Sequence, residues 1–147
     1  MIYRIIFDWK RTLYDPDHDE LIEGAREVLE LLKEKSIPLV LIGKGGKDMK
    51  LAVVKHKVKD YFDDIIFVGD EKSMKAFRPF ILKKMPEATF VIGDRVRSEL
   101  EIGNQLGATT IWVKQGKFAD EKPLDEVQEP TITVASLSEL RDFLAEK

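Results

Sequence analysis

Short apolar runs recur along this chain, each closed by a polar turn and followed by a helix-like stretch, and that alternation constrains the fold more than any other feature. Residues 2–7, Pro38 through Ile42, Ile65–Val68, Phe90–Ile92 and Thr109–Val113 read as buried strands, and Ile132–Val134 as a short sixth. Residues 21–35 put Ile22, Ala25, Val28, Leu29 and Leu32 on one helical face, with charges elsewhere. Further helices are predicted over about 47–57, 73–85 and 97–106. Pro79 should start or kink the 73–85 helix, and Gly107 is a good stop for the 97–106 helix. Residues 114–130, with two prolines and many charges, predict a surface loop. Ser136 and Glu139 form a capping box for a final helix. Strands alternating with helices imply a parallel sheet with helices on both faces. There is no internal repeat or low-complexity tract, so one α/β domain over residues 1–147 is expected.

Composition removes several function classes. The chain has no cysteine, which excludes disulfides, a thiolate nucleophile and a thiolate metal site. A net charge of -3 implies no bulk attraction to nucleic acid. The start, Met1-Ile2-Tyr3-Arg4, lacks a signal-peptide layout, and no apolar stretch is long enough to span a membrane. A cytoplasmic protein is therefore expected. Many Lys and Glu residues, with a single Asn and three Gln, resemble a thermophile's composition.

The chemistry is written at strand ends. Asp8 stands where Ile5-Ile6-Phe7 gives way to the turn Trp9-Lys10-Arg11-Thr12-Leu13, and Asp94 follows Phe90-Val91-Ile92-Gly93 in the same way. If both runs are neighbouring parallel strands, the two carboxylates meet at the carboxyl edge of the sheet, where open α/β sheets bind ligands. Such a pair can hold a divalent cation, and one carboxylate can attack an electrophile. The Gly43-Lys44-Gly45-Gly46 turn and Lys72 or Lys75 fall at further strand ends.

Together these four spots resemble the four motifs of the haloacid dehalogenase superfamily, most of whose members are phosphatases and phosphotransferases. The resemblance takes in Leu21-Ile22-Glu23-Gly24-Ala25, the fourth motif Val91-Ile92-Gly93-Asp94-Arg95, and downstream Gly103-Asn104 and Gly107. It implies a three-layer Rossmann-like sandwich, a central parallel sheet of strand order 5-4-1-2-3, no large cap domain, and a small flap at about 14–20. It implies an aspartyl-phosphate on Asp8 and Mg²⁺ between Asp8, the Lys10 backbone carbonyl and Asp94, with Glu99 in the place of the second acid. Lys72, or alternatively Lys75, would neutralise charge, and the phosphoryl group would lie against Gly43, Lys44 and Gly45. The partner implied is a small phosphorylated molecule, with no nucleic acid or membrane.

The departures bear directly on activity. The usual first motif, Asp-x-Asp-x-Thr, reads Asp8-Trp9-Lys10-Arg11-Thr12 here. The missing second Asp normally protonates the leaving group and then activates water, a role worth roughly 10²–10⁴ in rate. Lys10 is a solvated turn residue, a stand-in for the metal, or an acid of lowered pKa. Gly43 stands where a Ser or Thr usually binds the phosphoryl oxygen. Asp15, Asp17 and Asp19 mimic the start of a calcium loop, yet Glu20 replaces its required Gly. His18 reads as an exposed flap residue or a substitute acid, and His56 as a surface residue at a helix end. Trp9 either shapes the pocket or covers the sheet edge, whereas Trp112 reads as core. Lys10, Arg11, Lys44, Lys72, Lys75, Arg95 and Arg97 form a basic collar that favours an anionic ligand. Three functions remain open: a metal-dependent phosphatase or phosphotransferase, a non-catalytic relative that binds a phosphorylated ligand or a protein, and a metal-free dehalogenase-like hydrolase.

Overall fold

A computed structural model describes all 147 residues. Its strands in chain order are β1 (Arg4–Phe7), β2 (Tyr14–Asp15), β3 (Glu20–Leu21), β4 (Leu39–Lys44), β5 (Asp64–Val68), β6 (Thr89–Gly93), β7 (Thr109–Val113) and β8 (Ile132–Val134). The helices are α1 (Ala25–Glu34), α2 (Lys47–Lys55), α3 (Met74–Phe77), α4 (Glu99–Gln105) and α5 (Leu137–Ala145). Six strands make one parallel sheet of order β5-β4-β1-β6-β7-β8. Numbered along the main sheet alone and read from its other edge, this is the expected 5-4-1-2-3 order, with the sixth strand added outside the fifth. β2 and β3 pair antiparallel as a separate hairpin, which is the flap expected at about 14–20. No cap domain interrupts the strands, and no helix is long and apolar enough to cross a membrane.

Alternation along each strand splits the core into two layers. Ile5, Phe7, Leu39 and Leu41 face α1, α2 and α5, where Leu29, Val53 and Leu140 are buried. Ile6, Val40, Ile42 and Val91 face the opposite way, onto Phe77 and Leu100 of α3 and α4. β1 lies in the middle, paired on one side to β4 and on the other to β6. Phe7 is level with Ile92, and the Asp8 amide donates to the Ile92 carbonyl at 3.0 Å. Asp8 and Asp94 therefore leave the sheet side by side at its carboxyl edge.

Several elements differ from their sequence-based expectation, each for a local reason. α1 starts at Ala25, because Leu21 is spent in the hairpin and Gly24 turns with φ 92°. The 73–85 helix shrinks to α3 and a 3-10 turn at Arg78–Phe80, as Pro79 supplies no amide for an α-helical bond. β4 runs on through Lys44, so the turn begins later than expected. Ser136 Oγ accepts from the Glu139 amide at 3.1 Å, but Glu139 reaches back to Ala135 rather than Ser136.

Gly43 sits inside β4, level with Phe67. A Cβ there would lie 2.8 Å from the Phe67 ring and 3.1 Å from the Trp9 Cβ. The absent Ser or Thr is thus a packing fact: aromatic side chains occupy the space its hydroxymethyl group would need. Gly43→Ser is expected to cost about 1–3 kcal/mol, as overpacked core positions do. Urea denaturation should show that Phe67→Leu, combined with it, recovers part of that loss.

Candidate active site

The loop after β1 turns back at once. The amides of Thr12, Leu13 and Tyr14 all point at the Trp9 carbonyl, and Arg11 takes φ 66°. This tight turn brings Thr12 Oγ1 to 3.0 Å from Asp8 Oδ2 and 3.3 Å from Asp94 Oδ1. Trp112, reaching from β7, donates its indole N–H to the Asp94 carbonyl at 2.9 Å. A residue expected only in the core thus also fixes the loop that carries the second carboxylate.

Lys72 enters from the loop after β5. Its Nζ donates to Asp8 Oδ1 at 2.6 Å and to Glu99 Oε1 at 2.9 Å. Lys75 is exposed and makes no such contact, so Lys72 is the lysine at the carboxylates. Glu99, in the first turn of α4, also accepts the Arg95 amide at 2.9 Å. It packs so closely on Gly93 that a Cβ there would fall 2.2 Å from its Oε2, which explains the glycine before Asp94. Asp8, Asp94 and Glu99 are all buried, and each brings one carboxylate oxygen within 4.8 Å of the others.

Three buried carboxylates share one buried ammonium, and the titration of Asp94 and Glu99 registers the imbalance. Burial raises the Asp94 carboxyl well above the usual range, and Asp8 and Glu99 push it further. Burial likewise raises Glu99, with Asp8 adding and Lys72 opposing. Burial works against the Lys72 charge, but Asp8 and Glu99 outweigh it and hold the ammonium above its ordinary value. Asp94 Oδ2 is buried with no hydrogen-bond partner. A partnerless carboxylate oxygen among surplus negative charge is what a hard divalent cation would satisfy. The residues therefore fit Mg²⁺.

A cleft of about 330 Å³ opens over this cluster. Lys10 and Lys44 line it, whereas Gly43 and Gly45 do not. The Gly45 amide is committed to the Val68 carbonyl at 2.9 Å, and the Gly46 amide meets Asp48 Oδ1 at 3.3 Å. The expected glycine cradle is thus largely closed. The Lys10 ammonium forms neither an ion pair nor a hydrogen bond, so it does not stand in for a metal; Lys72 holds that contact.

Two other contributions are scarcely visible in the sequence. The 114–130 loop does more than cover the surface. Glu121, nearly buried, accepts from Arg95 Nη2 at 2.8 Å and from the Arg97 amide at 3.2 Å. Arg95 also lies over the Phe118 ring at 4.2 Å, so this loop walls the cleft. The acids of the flap disperse to separate partners and make no calcium loop. Asp15 takes His18, Asp17 takes Arg11, and Asp19 takes Tyr14, Lys55 and His56. His56 is accordingly a clamp for the flap rather than a free surface residue. Trp9 is fully buried, with its ring stacked on Tyr14 at 4.9 Å, and does not line the cleft.

A parallel sheet with a carboxylate–lysine cluster at its carboxyl edge is what the resemblance to the haloacid dehalogenase superfamily implies. A family model described as HAD-hydrolase-like matches residues 72–140. Glyceraldehyde 3-phosphate phosphatase of Pyrococcus furiosus is 26% identical over 130 residues, covering 84% of this chain and 54% of the relative. The chain thus spans about half the length of that relative. A HAD-superfamily hydrolase of Ehrlichia chaffeensis has a similar structure, with a TM-score of 0.74 at 17% identity over 99% of this chain and 97% of the other. Magnesium-bound YfnB of Bacillus subtilis, assigned to the HAD hydrolases, gives 0.69 at 22% identity over 86% of this chain and 57% of the other. The resemblance to the haloacid dehalogenase superfamily holds in sequence and in fold.

The raised carboxyls have a measurable sign. Without a cation, folded Asp94, raised to about 10, keeps a proton that the unfolded chain releases above about pH 4, and the raised Glu99 acts in the same direction. The folded state then binds more protons, so stability falls as pH rises through that window. The raised Lys72 adds no slope there, because its contribution is complete below the unfolded lysine value of about 10.4. Thermal melts in chelator should show Tm falling from about pH 5 to about pH 8, and Asp94→Asn or saturating Mg²⁺ should flatten the fall.

Proposed function

We propose that this protein is a Mg²⁺-dependent phosphatase or phosphotransferase that forms an aspartyl-phosphate on Asp8. The observation that carries this reading is the buried Asp8 carboxylate at the floor of a cleft, held by Lys72 at 2.6 Å and Thr12 at 3.0 Å beside Asp94 and Glu99. The relatives' phosphatase activity and the magnesium-bound structure of similar fold support it.

Asp8 Oδ attacks the phosphorus as the bond to the leaving oxygen breaks; that oxygen departs with the bonding electron pair and takes its proton from water, and the phosphoryl group passes to Asp8. Lys72 steadies the carboxylate beforehand and stabilises the charge that gathers between it and the phosphoryl oxygens. Thr12 ties Asp8 to Asp94, and Glu99 keeps Lys72 in place. Asp8, the Lys10 carbonyl and Asp94 would hold Mg²⁺, with Glu99 behind them. Bound there, the cation would offset the carboxylates and polarise a phosphoryl oxygen. Lys10 and Lys117, neither paired to an acid, add positive charge around a phosphoryl dianion at the mouth. Hydrolysis of the aspartyl-phosphate lacks its usual base. With no carboxylate at position 10 to activate water, the second half-reaction is slow; with no carboxylic acid there to protonate the departing oxygen, the first half-reaction favours good leaving groups.

Asp8→Asn should abolish turnover of acetyl phosphate or an aryl phosphate; near-normal residual activity would point to another nucleophile or a contaminant. Lys10→Asp should raise turnover of alkyl phosphates by about 10²-fold or more and shorten the life of the trapped phosphoenzyme. Lower activity than the parent on every alkyl phosphate would show that Lys10 has a positive catalytic part. Titration calorimetry with Mg²⁺ should give one site, lost in Asp94→Asn.

A further inference from the structure

Beside the catalytic cleft lies a second cavity of about 470 Å³, between the flap and the loop after β7. It shares Arg11 and Lys117 with the cleft, so the two adjoin. Its volume falls in the range of small-molecule sites. Resting on the phosphoryl-transfer reading above, we propose that this cavity receives the leaving group, and that it selects a neutral, polyhydroxylated one.

The lining argues against the alternatives. Ile22 is its one hydrophobic side chain, so an aryl or alkyl group gains little there. Asp15 and Asp17 add two carboxylates, which would repel a second phosphate or a carboxylate. Arg11 is engaged with Asp17 at 3.0 Å and is not free to hold an anionic ligand, and together with Lys117 it brings the formal charge of the lining to zero. Donors and acceptors in balance, with no net charge left over, match hydroxyl groups, which both give and accept hydrogen bonds. Gln115 is placed to read them. Its Nε2 lies 3.3 Å from the Thr12 carbonyl and 3.5 Å from that of Arg11, which ties the carboxamide to the nucleophile's loop. Its Oε1 has no protein partner and is left as an acceptor. Lys117 stands at the junction as a donor.

Three phosphonates that resist hydrolysis separate the possibilities, each titrated by calorimetry into the Mg²⁺-loaded protein: propylphosphonate, 2,3-dihydroxypropylphosphonate and 3-phosphonopropionate. They share one carbon chain and differ in an apolar, a diol and a carboxylate end. The diol should bind about tenfold more tightly than the propyl compound, the worth of one or two added hydrogen bonds. Gln115→Leu should bring that ratio close to one. Asp17→Asn should raise the affinity of the carboxylate compound relative to the other two, because it removes a charge and frees Arg11, an effect that a purely structural role for Asp17 does not produce. If all three bind alike, or the carboxylate binds best in the parent protein, the inference is overturned while the phosphoryl site stands. If none binds, the phosphoryl-transfer reading fails and takes the inference with it.

Discussion

The contact between Lys72 and the carboxylates of Asp8 and Glu99 is the interaction on which the rest of the site depends. Three buried carboxylates at one sheet edge would repel one another and resist ionisation. One buried ammonium, 2.6 Å from Asp8 and 2.9 Å from Glu99, makes the arrangement tolerable without neutralising it. What is left over is carboxylate oxygen that only a proton or a cation can satisfy, the partnerless Asp94 oxygen among it, and that is why the cluster fits a cation. The fold serves this contact. Central β1 carries Asp8, adjacent β6 carries Asp94, α4 delivers Glu99 against Gly93, and the loop after β5 brings Lys72 back over the sheet.

Much of this was legible in the sequence because its causes are local. Strand runs of β-branched and aromatic residues, and the position of Asp8 and Asp94 at their ends, need only a period and a stop to be read. Lys72 could be reached from its place after the third long strand, though choosing it over Lys75 needed coordinates. The helix at 73–85 failed because Pro79 acts on backbone bonding more strongly than the apolar pattern suggests. The glycine cradle failed for a non-local reason: the Gly45 amide is taken by Val68 of the next strand, which no spacing within the turn reveals. Glu121 was hidden in the same way, since a charged residue in a proline-bearing loop gives no sign that it will be buried against Arg95.

The substitutions at the two weakest motif positions have different physical characters. Gly43 is forced by its neighbours, as Phe67 and Trp9 already fill the space beside it. Lys10 is not forced, because its side chain stands in the cleft without an ion pair or hydrogen bond. The first is a consequence of how this core is packed. The second is open to exchange at little cost to folding, and in the proposed reaction it is the position where acid and base are lost.

The flap is fastened at its tip. Asp19 accepts from the Tyr14 hydroxyl at 2.6 Å, meets His56 Nε2 at 3.0 Å and pairs with Lys55, while Tyr14 stacks on buried Trp9. Both ends of the hairpin are thereby anchored to the core, one through an aromatic stack and the other through the end of α2. The cavity beside the cleft is therefore bounded on this side by a wall fastened at both ends rather than by a gate. A ligand spends none of its binding free energy closing it, and products meet no door on the way out. In the proposed reaction a phosphoryl group on Asp8 would stay open to water through the cleft, so its persistence would depend on whether that water is activated and not on whether it is admitted.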